Sequence, residues 1–295
     1  MNLPLEFFAE EERCGYTVPA EMKKVWAVQL DLLEQFRQVC ARHNLRWYAS
    51  GGTLLGAIRH RGYLPWDDDI DIQMLREDYD KLLSIADREF TAPYFFQTAY
   101  NDTDFSRGHA QLRDSRTTAI LLSEKGNFPF NQGVFIDIFP LDAVPDSPAE
   151  QTAQRRRVNL WMKLLAATVR YPGSVHKSPV KTLIHLLLKP LPYRWIYRRM
   201  EAACTAYEGK GTRRVALMTF APQDNRLVFP VACLTGDREV AFEHTTIPIP
   251  EGYDEMLTIQ YGDYLTMRRE NAYHGGIFFD TERPYTEYLN KGECP

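Results

Sequence analysis

The residues of this chain with the most chemistry in them are a run of aspartates, Trp66-Asp67-Asp68-Asp69-Ile70-Asp71-Ile72. Side chains alternate between the two faces of a strand. Asp67, Asp69 and Asp71 therefore share a face if the strand reaches back that far, and Ile70 and Ile72 turn to the core. Crowded carboxylates repel, and burial raises their pKa values; a divalent cation relieves both problems. Hard oxygen ligands on a rigid element suit Mg²⁺ or Mn²⁺. An isolated acidic run is more often a solvated turn, but Trp66, Ile70 and Ile72 argue for a buried place. A calcium loop is excluded, because its required Gly falls on Ile72 and its Glu on Asp78.

Another carboxylate lies in an apolar run, Val134-Phe135-Ile136-Asp137-Ile138-Phe139-Pro140-Leu141-Asp142. A carboxylate inside such a strand is costly unless paired or metal-bound, which makes Asp137 a further metal ligand or a base. Asp142 follows Pro140 and reads as a cap or turn residue. Upstream, Ser50-Gly51-Gly52-Thr53 stands where a strand hands over to a helix. Without Cβ atoms the backbone approaches a phosphate closely, and the N–H groups of a helix start hold it. A Gly-Gly pair alone is usually a plain turn; about fifteen residues before an acidic strand it is far more specific.

These residues need a frame. Met22, Val25, Trp26, Leu32, Leu33, Phe36, Val39 and Cys40 form a helical stripe, with Asn44 as its stop. Residues 45–49 read as an aromatic-rich strand, broken by Ser50-Gly51-Gly52-Thr53 before a short helix over 54–60. Further strands are predicted at 69–72, 94–98, 109–113 and 134–139, and a helix at 76–90. The expected architecture is α/β (α+β): a mixed sheet flanked by helices, with a helical insertion. The core spans 1–148 and the insertion 149–212, broken at Pro172, Pro179, Pro190 and Pro192. A part over 213–295 packs back on the core.

Composition allows this. Hydrophobic residues make up 44% of the 295 residues and aromatics 13%, ample for a core. With 35 basic and 39 acidic residues the net charge is -4, without the basic excess of a nucleic-acid binder. Cys14, Cys40, Cys204, Cys233 and Cys294 are odd in number and form no CxxC pair, so they read as reduced thiols. The first residues lack a secretory signal pattern. The apolar stretches at 160–169 and 183–188 are too short or interrupted to span a bilayer. The expected location is the cytoplasm. Lys177, Lys181, Lys189, Arg194, Arg198 and Arg199 alternate with Leu183, Leu187, Leu188, Leu191, Trp195 and Tyr197. That pattern suits a basic amphipathic stretch on the inner face of the membrane, and suits better a solvated helix packed on the core.

Tyr48-Ala49-Ser50-Gly51-Gly52-Thr53-Leu54-Leu55-Gly56-Ala57-Ile58-Arg59-His60, the acidic run with Pro65 before it, and Phe135-Ile136-Asp137-Ile138-Phe139-Pro140-Leu141-Asp142 resemble the LicD family. That family includes bacterial phosphocholine transferases and, more distantly, fukutin-type transferases. The likeness continues at Ile249-Pro250-Glu251-Gly252-Tyr253-Asp254 and Tyr261-Gly262-Asp263-Tyr264. It departs after Tyr264, where Met267-Arg268-Arg269 stands in place of a Leu-Pro-Pro stretch. The zinc-binding insertion of some fukutin-type members has no counterpart.

The resemblance implies a nucleotidyltransferase fold, with Asp69 and Asp71 as its paired carboxylates and Asp137 as the third. Asp67 matches a further acidic position of fukutin-type members. The implied reaction is Mg²⁺- or Mn²⁺-dependent transfer of a phospho-group, with phosphocholine from CDP-choline as the best match. The acceptor is a hydroxyl of a cell-surface glycan, such as lipopolysaccharide or teichoic acid, or of its lipid-linked precursor. Asp67, Asp69, Asp71 and Asp137 would hold the metal, and Ser50, Gly51, Gly52 and Thr53 a phosphate. Arg59, His60, Arg113 and Arg116 are candidate phosphate contacts, each as readily a surface charge. Tyr63 and Trp66 are the aromatic candidates for the choline cation. The alternatives are attachment of a nucleoside monophosphate to a small acceptor, and an inactive binding protein.

Overall fold

The computed structural model describes residues 3–102, 104–122, 130–168, 192–220, 225–267 and 276–291. A hairpin of β1 (Glu11–Arg13) and β2 (Tyr16–Val18) leads into α1 (Ala20–Arg42). Trp26, Leu33 and Phe36 of the predicted stripe are buried, together with Leu30. The next elements are β3 (Tyr48–Ala49), α2 (Gly51–Arg59), β4 (Asp71–Leu75) and α3 (Arg76–Glu89). Then come β5 (Tyr94–Gln97), β6 (Ala110–Asp114), β7 (Thr118–Leu121) and β8 (Val134–Val144).

The sheet has seven strands among the described residues. Strand β8 is its spine. It runs parallel to β4 over Asp137–Leu141 and antiparallel to β6 over Val134–Ile138. Strand β3 adds to β4, and β5 to β6, both antiparallel. The far half of β8 pairs with β9 (Arg214–Ala216), which pairs with β10 (Val228–Pro230). The mixed α/β architecture expected from the sequence is what is observed.

All eleven residues of β8 are buried, as a strand covered on both faces requires. Ile136 and Ile138 join Ile72, Met74, Leu112 and the α1 residues Trp26, Leu30 and Leu33 in the main core. The opposite face carries Asp71, Asp137 and Gln111, which are direct partners across three strands.

Helices α4 (Pro148–Thr168) and α5 (Tyr193–Cys204) lie within the predicted helical region. After them come β11 (Asp237–Phe242) with β12 (Thr245–Pro250), α6 (Tyr253–Tyr261), β13 (Ile277–Asp280) on β7, and α7 (Tyr285–Lys291). No helix of the described residues is long and apolar enough to cross a membrane. The predicted features at Pro172, Lys177, Pro179, Lys181, Leu183, Leu187, Leu188, Lys189, Pro190, Leu191, Arg268, Arg269 and Cys294 lie outside the described residues.

Three local expectations change. Strand β4 begins at Asp71, so residues 67–70 form an irregular approach rather than the start of a strand. Helix α2 begins at Gly51, so the glycine pair is its first turn and not a break before it. Asp142 is neither cap nor turn. It is fully buried in β8, where Arg76 Nε donates to its Oδ1 at 2.7 Å. Pro140 is accommodated within a strand that continues for four more residues.

The Arg76–Asp142 pair ties the start of α3 to the spine strand, and both partners are enclosed. Removing one charge leaves the other buried without its partner, at a cost of about 3–5 kcal/mol. Asp142→Ala is expected to lower unfolding stability by that amount in urea titration. The double substitution Arg76→Met with Asp142→Leu should recover most of the loss. A double variant as unstable as the single one would show that the charge pair is not the source.

Candidate active site

Parallel pairing sets Asp71 and Asp137 side by side, because Asp71 is the register partner of Asp137. The Asp137 amide donates to Ile70 O at 2.8 Å, which holds the approach segment against the spine strand. Asp69 reaches the same place from that irregular segment. Carboxylate oxygens of Asp69, Asp71 and Asp137 all lie within 4.8 Å of one another, and a second group of the same kind comprises Asp67, Asp68 and Asp69.

The acidic segment is pinned from behind by α1. Trp26 Nε1 donates to Asp67 O at 3.1 Å, and Gln29 Nε2 donates to Asp68 O at 2.7 Å. Helix α2 is tied to the same strand twice. The Ser50 amide donates to Asp71 O at 2.9 Å, and the Asp71 amide donates to Thr53 Oγ1 at 2.8 Å. Ser50 and Thr53 are therefore buried anchors for Asp71. The first backbone bond of α2 runs from Leu54 N to Ser50 O, so the amides of Gly51, Gly52 and Thr53 precede it. The positive end of the helix dipole lies beside the carboxylates.

Both glycines are needed for this approach. Gly51 has φ +51, and a Cβ there would stand 3.1 Å from Asp71 Oδ2. A Cβ on Gly52 would stand 2.6 Å from Asp67 Oδ2. The same hypothetical atom on Gly51 would be 3.9 Å from the Tyr261 hydroxyl, which brings the end of α6 to the site.

The carboxylates are not equivalent. Asp69 is enclosed, and burial raises its carboxyl well above the usual range, reinforced by the charges of Asp71, Asp67, Asp137 and Asp68. Burial pushes Asp137 the same way. There the charge and hydrogen bond of His109, the charge of Arg107 and the amide of Gln111 outweigh it, and the carboxyl lies below its ordinary value. His109 Nε2 is 3.0 Å from Asp137 Oδ1, and Gln111 Nε2 donates to the same oxygen at 2.6 Å. Gln111 is held in turn by Arg113 Nη2, and Arg113 Nε donates to Gln97 Oε1.

Arg113 departs from its predicted role. It is wholly buried and spends its guanidinium on Gln97, Gln111 and Gly133 O, so it braces Gln111 from beneath instead of meeting a phosphate. Arg59 and His60 lie at the other end of α2, about 12 Å along the helix axis from its glycine start. Arg59 Nη1 donates to Tyr264 O at 3.3 Å. Burial, then the charges of Arg59 and Arg13, push His60 down to about 4, so it carries no charge at neutral pH. Arg116 is exposed and paired with Asp114 at 2.6 Å.

Tyr63 is buried and stacks on Trp26 with ring centres 4.3 Å apart, so it is a core residue. Trp66 packs on Tyr16. The aromatic rings at the site are others. Phe139 lies 4.4 Å from the His109 ring, and Phe220, 41% exposed, lies 6.1 Å from His109 and 5.6 Å from Phe139.

His109, Gln111, Arg107, Trp26, Gln29 and Phe220 escaped the sequence reading. One signal was available: His109, Gln111 and Arg113 alternate with the apolar Ala110 and Leu112, the period of a strand with a polar face.

Residues 44–163 match the family model described as LicD/FKTN/FKRP, nucleotidyltransferase domain, a stretch that holds the glycine pair and the carboxylates Asp67, Asp68, Asp69, Asp71 and Asp137. Over those residues the chain is similar to LicD-type nucleotidyltransferase domains. The lipopolysaccharide cholinephosphotransferase LicD of Haemophilus influenzae is 27% identical over 266 residues, covering 82% of this chain and 91% of that protein. An uncharacterized protein of Rickettsia prowazekii is 28% identical over 110 residues, 37% of this chain and 39% of its own. The LicD-type likeness expected from the motifs is thus borne out.

The contact between Gly52 and Asp67 yields a direct test. Alanine is a better helix former than glycine by up to about 1 kcal/mol, so Gly52→Ala should leave thermal stability unchanged or raised. Its methyl must displace the Asp67 carboxylate, and turnover should fall at least about tenfold. An active Gly52→Ala enzyme would show that the position of Asp67 does not matter to the reaction.

Proposed function

We propose that this protein transfers phosphocholine from CDP-choline to a hydroxyl of a cell-surface glycan or its lipid-linked precursor. The observation that carries this reading is the meeting of Asp69, Asp71 and Asp137 beside the glycine start of α2. The name of the Haemophilus influenzae relative, aligned over most of both chains, supports the transferred group and the glycan acceptor.

The donor set fits a hard divalent cation. It is all oxygen and crowded, and burial, reinforced by the neighbouring carboxylates, raises the carboxyl of Asp69, a strain that a bound cation would relieve. Asp69, Asp71 and Asp137, with Asp67 beside them, would hold Mg²⁺ or Mn²⁺, which neutralises charge on a bound diphosphate. The amides at the start of α2 would take up phosphate oxygens. Arg107, whose charge reaches Asp137, would meet the donor in place of Arg113.

In the reaction an acceptor oxygen bonds to the phosphorus that bears choline, and the bridging P–O bond to CMP breaks. The products are the phosphocholine-substituted glycan, CMP and a proton. The proton passes to Asp137, kept ionised by His109 and Gln111. A loose transition state loses it late, so a weak base suffices. Quaternary ammonium binds to aromatic faces within about 6 Å. Phe220 and Phe139 next to His109 supply such faces at the edge of the site. We place the reaction in the cytoplasm, a reading supported by the free thiols of Cys14, Cys40, Cys204 and Cys233.

Release of CMP from CDP-choline should require Mg²⁺ or Mn²⁺ and stop in excess EDTA. Asp69→Asn and Asp71→Asn should each lower turnover by about two orders of magnitude or more while the protein stays folded. Asp137→Ala should lose turnover far more than donor affinity measured by calorimetry. Turnover in EDTA, or near-normal rates in either Asn variant, would refute the metal assignment. Appearance of CMP on the acceptor would replace the reading with nucleotidyl transfer.

Phe220→Ala separates the choline reading from transfer of another phospho-group. It should raise KM for CDP-choline by roughly 5- to 30-fold with little change in kcat. A donor without a quaternary ammonium should be unaffected. Equal effects on both donors would remove Phe220 from choline recognition.

A further inference from the structure

Helices α4 and α5 bury Val158 and Leu165 of the one with Ile196, Tyr197, Met200 and Ala203 of the other. Their outward faces have a different chemistry. Arg156, Arg157, Leu160 and Lys163 are exposed on α4, and Arg194, Trp195, Arg198 and Arg199 on α5. Trp161 and Trp195 meet edge to face across the seam, 5.7 Å between centres, so the two faces join there. Leu160 is 55% exposed and Trp195 41%, and the Arg199 guanidinium lies 5.0 Å from the Trp195 ring.

The charge is one-sided. Together the two helices hold seven cationic side chains and two carboxylates, in a chain whose net charge is -4. Glu150 sits in the first turn of α4. Glu201 is turned inward, where it accepts from the Tyr100 hydroxyl and lies 3.7 Å from Arg76. The outward surface is therefore cationic, with a leucine and a tryptophan set among the charges.

We propose that this face docks the protein on an anionic lipid surface. Cations drawn to acidic headgroups, with Trp and Leu entering the headgroup boundary, are the two elements of interfacial binding. Tryptophan is the side chain most at home there, its body apolar and its ring N–H polar. A nucleic acid would match the charge but leave Leu160 and Trp195 without a role. A second copy of the chain joined by a two-fold axis would set cations against cations.

The same lobe adjoins the site. The Tyr197 hydroxyl donates to Arg107 O at 3.2 Å, and the Tyr193 hydroxyl donates to Ala99 O and Phe105 O at 2.8 Å each. These bonds fix the segment that delivers Arg107 and His109 to Asp137. Docking through α4 and α5 would bring the transferase site to acceptors held at the membrane. The lipid contact itself is independent of what is transferred.

The full chain should float with vesicles of phosphatidylcholine containing phosphatidylglycerol at least about tenfold more tightly than with phosphatidylcholine alone. Binding should weaken with salt. The variant carrying R156E, R157E, R198E and R199E should lose it, and L160A with W195A should weaken it, both with the wild-type melting temperature. CMP release with a water-soluble acceptor should be unchanged in both. Equal binding to neutral vesicles, no binding to anionic ones, or wild-type binding by the charge-reversed variant would overturn the proposal. So would capture by duplex DNA as tight as by anionic vesicles, or a dimer that the charge reversals dissolve in place of lipid binding.

Discussion

Parallel pairing of β4 with β8 forces two carboxylates together, and much of the surrounding structure answers to that repulsion. Asp71 and Asp137 are register partners, and Asp69 joins them within 4.8 Å. Two unit charges at that separation repel by about 3 kcal/mol at the effective dielectric of a protein. The arrangement survives because backbone and side chains hold it from every side. Ser50 and Thr53 bond the backbone of Asp71, Trp26 and Gln29 hold the carbonyls of Asp67 and Asp68, and Ile70 accepts from the Asp137 amide. All of these contacts run through backbone groups of the acidic segment and of Asp137.

Asp137 is held through its side chain as well, and this explains the asymmetry of the site. Its Oδ1 is engaged by His109 and Gln111, and Gln111 is backed by Arg113. Arg113 is buried with Gln97 and Gln111 in a polar network whose members lie on neighbouring strands. A guanidinium at zero exposure is costly unless its donors are satisfied, and here three acceptors meet it. Asp137 is thus an ionised, immobile carboxylate, whereas Asp69 is burdened by like charges. Two carboxylates of similar burial acquire opposite tendencies from their partners alone.

This division also marks what the sequence made legible. Asp69, Asp71, Asp137 and the glycine pair were readable because each breaks a local rule: acid in an apolar strand, glycine at a helix start. Asp69 comes from an irregular segment and not from strand alternation. The supporting residues break no local rule. Trp26 and Gln29 look like any residues of an amphipathic helix, and their bonds to residues 67 and 68 span about forty positions. Arg113 was misread because sequence shows that a strand residue is charged, not whether the strand is covered on both faces. Asp142 was misread because Pro140 suggested an end to β8, and the strand continues past it.

The placement of charge over the molecule has a consequence for the order of binding. The site gathers Asp67, Asp68, Asp69, Asp71 and Asp137, and the basic side chains described as bearing on Asp137 are Arg107 and His109. A nucleotide diphosphate is itself an anion and would be repelled by this cluster unless the charge were first offset. The helix dipole of α2 supplies only about half a charge. On the proposed reading, donor and divalent cation therefore bind as interdependent partners, each lowering the cost of admitting the other. The cationic α4–α5 face cannot substitute, since its side chains point to solvent and not to the carboxylates. An acidic site and a basic outer face are then two separate electrostatic devices, one suited to a metal–nucleotide pair and the other to a surface.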